Sequence, residues 1–281
     1  MKHYGFIAPE IKREDYLFGA ENFHDPILMP NGHGWGAYLP QKEIQRNQFI
    51  DTFSCSSYGT INAIETIMRF KYSGEYDYSD RYVAKMSGTV PSVGNAPDKV
   101  LDTIRKVSGL VPQSSWDFND TIKTQDEYFA NIPNSIISLG KEWLLGYQVK
   151  REWVDGDPES LMDALQYSPI GIGVWAWSQD ARGYYIRPAG KNDIHWCMLY
   201  DYVKDDHFLI YDSYDNTIKK LDWNFGFKFC MRYAVLFADP VSKRDSVIYL
   251  ILDKLTKVLE LMIAQLGKIT GGLRSNKTTN N

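Results

Sequence analysis

Three residues whose side chains can together move an acyl group stand in order along this chain: Cys55, His195 and Asp212. Cys55 lies in the small, polar stretch Asp51-Thr52-Phe53-Ser54-Cys55-Ser56-Ser57-Tyr58. Ser54 is a good N-cap residue, so the spacing predicts that Cys55 opens a helix. A thiol at a helix N-terminus feels the positive end of the macrodipole, which favours the thiolate. A thiolate becomes a catalyst only with a base beside it and a third group that orients the base. His195 follows Cys55 by 140 residues (195 − 55), and Asp212 follows His195 by 17 (212 − 195).

Two kinds of element must position these groups. After Cys55, the residues Ile61, Ile64 and Met68 recur as on one buried helix face. Around the charged turn Lys204-Asp205-Asp206 lie two apolar runs, His195 to Tyr202 and His207 to Tyr214. They predict a β-hairpin. In an antiparallel pair the start of one strand lies beside the end of the next, which makes His195 and Asp212 neighbours. Nothing local brings Cys55 to them; tertiary folding must.

The wording around these residues resembles the papain family (C1-type) of cysteine peptidases, a family with a Cys followed far downstream by His and Asn. Ser54-Cys55-Ser56 is similar to its Ser-Cys-Trp, and Asp212-Ser213-Tyr214 to its Asn-Ser-Trp. Ser108-Gly109-Leu110-Val111-Pro112 resembles its Gly-Leu segment. Leu161-Met162-Asp163-Ala164-Leu165, followed by Ser168-Pro169-Ile170-Gly171-Ile172-Gly173-Val174, resembles a further family segment. The resemblance covers residues 36–240, and its looser wording around the Cys is closest in flavour to phage-encoded members. It implies an α+β, two-lobed fold: a helical lobe over about 36–115 and an antiparallel, barrel-like β lobe over about 160–240. It implies roles as well. Cys55 is the nucleophile, His195 the acid and base, and Asp212 the orienting group in place of Asn. A glutamine before the nucleophile serves the oxyanion. Gln45 and Gln48 both qualify, and neither has the family's spacing. Gln45 is preferred because Gln48-Phe49-Ile50 reads as packing. The donor must be neutral, so that it stabilises the oxyanion without protonating it.

Three departures from the family pattern matter. Secreted members bridge a Cys three residues before the nucleophile, and here that residue is Thr52. Ser56 and Tyr214 replace aromatics that shield the catalytic pairs, which opens the His195–Asp212 contact to solvent. Trp196 is expected to compensate in part. Cys197 lies two residues from His195 on the same strand face and is either a second thiol near the site or core; Cys230 reads as core.

Composition narrows the function classes. The 281 residues carry a net charge of −4, which argues against nucleic acid as a partner. Three cysteines make no disulfide framework and suit a reducing compartment. The opening Met1-Lys2-His3-Tyr4 leads into charged residues, unlike a signal peptide, so the cytoplasm of a host cell or a virion is expected. No apolar run reaches membrane-spanning length. A metal site of His195, Cys197 and Asp212 lacks a fourth ligand, and His24 and His33 read as surface histidines, so no metal or cofactor is expected.

Beyond the core domain, residues 1–35 read as an arm broken by Pro9, Pro26 and Pro30, packed on the body or a partner rather than as a full pro-segment. Over 241–269, Ile248, Leu252, Leu255, Leu259, Met262 and Leu266 form the stripe of an amphipathic helix. Its stretch 246–267 is suited to self-association or docking. Residues 270–281 read as a disordered tail. The functional expectation is a thiol endopeptidase acting on a peptide or protein substrate, virion- or cell-wall-related. The alternative is an idle papain-fold component of a larger assembly.

Overall fold

A computed structural model describes residues 4–11, 15, 17–18, 29, 32–41, 44–215 and 218–237, together with 251, 255–256, 258–259 and 262. The chain divides into two compact units, Met1–Leu236 and Phe237–Asn281.

The first unit is built around helix α1, Cys55–Tyr72, which begins on the cysteine as its local sequence requires. The expected stripe is buried, but so is every residue from Cys55 to Met68, so the helix is surrounded rather than laid on a surface. Ser54 occupies the N-cap position without using its hydroxyl as a cap. That hydroxyl donates to the Thr52 carbonyl instead. Two short helices follow, α2 (Asp80–Met86) and α3 (Pro97–Thr103). The Ser79 hydroxyl caps α2 by accepting from the Tyr82 N–H. Helix α3 starts on proline and widens into a π turn, Ile104–Ser108. Helices α4 (Gln125–Tyr128), α5 (Asn134–Gly146) and α6 (Pro158–Leu165) complete the set.

Six strands form one sheet: β1 (Tyr147–Val154), β2 (Ile170–Val174), β3 (His195–Val203), β4 (His207–Tyr211), β5 (Ile218–Asp222) and β6 (Cys230–Phe237). Their order is β1-β6-β2-β3-β4-β5. Strand β2 runs antiparallel to both β3 and β6, and β4 antiparallel to both β3 and β5. The expected hairpin is β3 and β4, with Met198 opposite Tyr211. Four strands follow β2 in this sheet. Strand β1 also joins this sheet, beside β6.

Helix α1 packs on β3, and one apolar core runs through both halves, from Ile61, Ile64 and Leu101 to Ile172, Trp196 and Phe208. Among the described residues no helix is long and apolar enough to cross a membrane. In the second unit, Ile251, Leu255, Thr256, Val258, Leu259 and Met262 are helical and exposed. The rest of the expected 246–267 helix, the tail and His24 lie outside the described residues.

Candidate active site

Strand β3 begins on His195 and is tied to β2 by the pairing of Val174 with His195. Asp212 follows the last residue of β4. Its carboxylate turns back on its own chain to accept from the Tyr214 N–H at 3.0 Å, a turn that short acidic side chains favour. The same oxygen, Oδ1, lies 2.6 Å from His195 Nε2. The hairpin therefore does what its sequence pattern promised.

Cys55 reaches this pair through the contact of α1 with β3. Gly59, one turn after the cysteine, allows it: a Cβ there would stand 2.8 Å from Trp196 Cδ1 and 3.2 Å from the Cys197 Cα. Among the described residues His195 Nδ1 has no partner at hydrogen-bonding geometry. Cys55 is the other group, besides Asp212, that acts on the ring's charge. Catalytic thiol–imidazole contacts are often loose before substrate binds.

The electrostatics follow from burial and pairing. Burial alone works against a charged His195, but the Asp212 carboxylate and then Cys55 outweigh it, and its pKa is pushed up to about 10. Burial works against the Asp212 carboxylate as well. His195 and Lys219 overcome this and hold it well below the usual carboxylate range. Burial pushes the Cys197 and Cys230 thiols well above their ordinary range. Both are buried in the core, and Cys197 also lies within electrostatic reach of Asp212, Lys219 and Cys55.

The two candidate glutamines part company. Gln45 is fully buried, and Gln48 is exposed together with Phe49, so of the expected packing segment Gln48-Phe49-Ile50 only Ile50 packs, against Ala84, Ile122 and Tyr128. The Gln45 amide oxygen accepts from the Ser213 hydroxyl at 3.0 Å, which turns its nitrogen the other way. That nitrogen donates to Asp51 Oδ1 at 3.2 Å and to the backbone carbonyl of Tyr4 at 3.1 Å.

Tyr4 was not foreseen here. Its N–H donates to the Ile194 carbonyl at 3.3 Å. Its ring lies 5.3 Å from that of His195 and 4.5 Å from that of Tyr214, centroid to centroid. Gly5 and Phe6 continue along the Gly94–Asn95 edge. The Asn95 N–H donates to the Gly5 carbonyl at 2.9 Å, and the Ile7 N–H to the Asn95 carbonyl at 3.0 Å. The fit needs two glycines, since a Cβ on Gly5 would meet the Phe53 carbonyl and one on Gly94 would meet Gly5 itself. Phe6 stacks on Trp196. With this segment in place, Cys55, His195 and Asp212 are each 0% exposed.

That burial corrects the expectation that solvent reaches the His195–Asp212 pair. Trp196 is not the shield either, being occupied with Phe6. The rings around His195 are Tyr4, Tyr214 and Trp177, the last at 5.8 Å and edge-on. The third group missed from sequence is Lys219, whose ammonium is 2.7 Å from Asp212 Oδ2. Residues at such sequence distances leave no local pattern. For Lys219 there was one signal, a lysine on the same strand face as Leu221.

No family model matches the sequence, and no curated protein matches it. Solved structures match by shape. Digestive procathepsin L 3 from the larval midgut of Tenebrio molitor aligns with a TM-score of 0.56 at 13% identity, over 79% of this chain and 74% of that one. A cysteine protease of Carica candamarcensis in complex with E-64 aligns with a TM-score of 0.54 at 14% identity, over 72% of this chain and 97% of that one. The proform of the ragweed pollen allergen Amb a 11, a cysteine protease, aligns with a TM-score of 0.52 at 13% identity, over 73% of this chain and 65% of that one. The chain thus spans just under two-thirds of that proform's length. The fold is α+β, two-lobed and papain-like.

Proposed function

We propose that this chain is a thiol peptidase whose catalytic groups are Cys55, His195 and Asp212. One observation carries the reading: a buried imidazole is bonded through Nε2 to a carboxylate and keeps Nδ1 for a cysteine at the first turn of a helix. The Cys55 sulfur, as thiolate, attacks a peptide carbonyl carbon. Negative charge moves to the carbonyl oxygen, which the Gln45 amide and the Cys55 N–H receive; that N–H is free because the first turn of a helix has no acceptor for it. The His195 imidazolium then gives its proton to the departing amine, and a thioester remains. Water attacks the thioester while neutral His195 takes its proton, which releases the acid and restores the ion pair. Asp212 holds the ring in the tautomer this requires.

A peptide substrate is supported by what the site already holds. The Tyr4 carbonyl lies on Gln45, Tyr4 N–H on the carbonyl before His195, and Gly5 to Ile7 pair with Asn95 as a short strand. A substrate backbone would use the same donors and acceptors once residues 4–7 leave. The form described is therefore latent. The full burial of Cys55 also favours a second reading, a catalytically idle component of an assembly.

Iodoacetamide at mildly acidic pH separates the two once residues 4–7 are displaced, as by Phe6→Asp. The peptidase alkylates at Cys55 and spares Cys197 and Cys230, and Cys55→Ala abolishes cleavage of a peptide library. Equal, sluggish labelling of all three thiols would establish the idle component.

A further inference from the structure

Strand β5 reads Ile218-Lys219-Lys220-Leu221-Asp222, and its side chains alternate between solvent and interior. At its start the alternation is the wrong way round for hydrophobicity, whereas exposed Lys220 and buried Leu221 follow the usual order. Ile218 is 57% exposed, whereas Lys219 is 1% exposed. A buried ammonium costs several kcal/mol unless it is paired, so its partners explain its place. Lys219 Nζ donates to Asp212 Oδ2 at 2.7 Å and to Asp215 Oδ1 at 2.6 Å. It also lies over the rings of Trp177, at 5.0 Å, and Tyr185, at 5.9 Å. Trp177 in turn packs edge-on against His195. The register fixes this arrangement, since Lys219 pairs with Ile210, two residues before Asp212.

We propose that Lys219 is a positioning residue for His195: it holds the Asp212 carboxylate in place and offsets part of its charge. The catalytic role so served rests on the peptidase reading above. Asp212 is held at three points. Oδ1 accepts from Tyr214 N–H and faces His195, while Oδ2 accepts from Lys219. The carboxylate cannot turn without breaking one of these bonds. Through the site, imidazolium, carboxylate and ammonium then alternate in sign. A lone buried carboxylate beside His195 would bind the ring proton more tightly, and an imidazolium that keeps its proton is a poor acid toward the leaving amine. Asp215, on the far side of Lys219, is about one-third exposed at its side chain (34%), and water screens it.

The test needs no catalytic activity. In the full chain carrying Cys55→Ala, the His195 ring is titrated by NMR with and without Lys219→Met. The groups facing it are Asp212, Lys219 behind Asp212, and the rings of Tyr4, Trp177 and Tyr214. Lys219→Met is expected to raise the His195 midpoint by about one pH unit or more, the usual effect of leaving a neighbouring charge uncompensated. Lys219→Arg keeps the midpoint, and Lys219→Met with Asp212→Asn brings it back down. A midpoint that ignores Lys219→Met overturns the proposal. If Lys219→Met does not fold, the double variant decides. Recovery of folding on removal of the second charge supports the pairing, and continued failure reduces Lys219 to packing. Alkylation of the three thiols in the full chain carrying Phe6→Asp, which displaces residues 4–7, tests the peptidase reading separately. Cys55 reacting no faster than Cys197 would sink that reading and leave the His195 titration intact.

Discussion

The backbone carbonyl of Tyr4 accepts a hydrogen bond of 3.1 Å from the side-chain amide of Gln45. A donor suited to the oxygen of a reacting peptide is thus occupied by a peptide of the same chain. Phe6, buried and stacked on Trp196, anchors that peptide. Phe6→Asp places a carboxylate in an apolar slot and expels the segment. Cys55 alkylation is expected to rise at least about tenfold, which needs only 1.4 kcal/mol of lost occupancy. An unchanged rate would mean that residues 4–7 do not control access to the thiol.

The same bond sorts the two glutamines. Gln45→Ala removes the neutral donor and should lower turnover of a peptide substrate by about 100- to 1,000-fold, the usual effect of one oxyanion donor. Gln48, exposed, should tolerate alanine with no measurable change. Equal losses from both would remove Gln45 from the oxyanion site.

How much of this was readable beforehand depended on distance along the chain. The start of α1 at Cys55 and the β3–β4 hairpin were legible, because residue preference at a helix start and apolar runs are local, although Ser54 does not cap with its hydroxyl. Tyr4, Trp177 and Lys219 were not, because each meets the His195–Asp212 pair only after β2, β3 and β5 have come together. Gln45 was legible only as one of two, since burial rather than spacing separates it from Gln48. The shield on His195 was sought next door at Trp196, but adjacent strand residues face opposite ways, and that ring belongs to the other side.

Stability should depend on His195 as pH rises. Its folded pKa, about 10, lies above the unfolded value of about 6.5. Its contribution is therefore complete below about pH 6.5 and is lost as pH climbs towards 10. The buried thiols Cys197 and Cys230 push the same way above the ordinary thiol pKa, so the comparison must be with a variant that keeps them. Urea unfolding of His195→Gln between pH 7 and 10 is expected to show a shallower loss than the unsubstituted chain. Parallel curves would mean that the imidazole is not held charged by Asp212.

Gly59 ties the helix to the strand and so sets the distance from sulfur to imidazole. A methyl group at this position meets Trp196 Cδ1 at 2.8 Å and the Cys197 Cα at 3.2 Å, and neither can give way easily, since both residues are buried. Gly59→Ala should cost about 1–3 kcal/mol, the usual effect of overpacking. It should also move α1 off β3 and slow alkylation of Cys55. Gly146, at the end of α5, has nothing within 4 Å of where a Cβ would go. Gly146→Ala should therefore be neutral or stabilise by up to about 1 kcal/mol, because alanine loses less backbone freedom in a helix. Urea midpoints of the two variants, with thiol labelling alongside, make the comparison. If Gly59→Ala were as harmless as Gly146→Ala, the close approach at Trp196 would not be what carries Cys55 to His195.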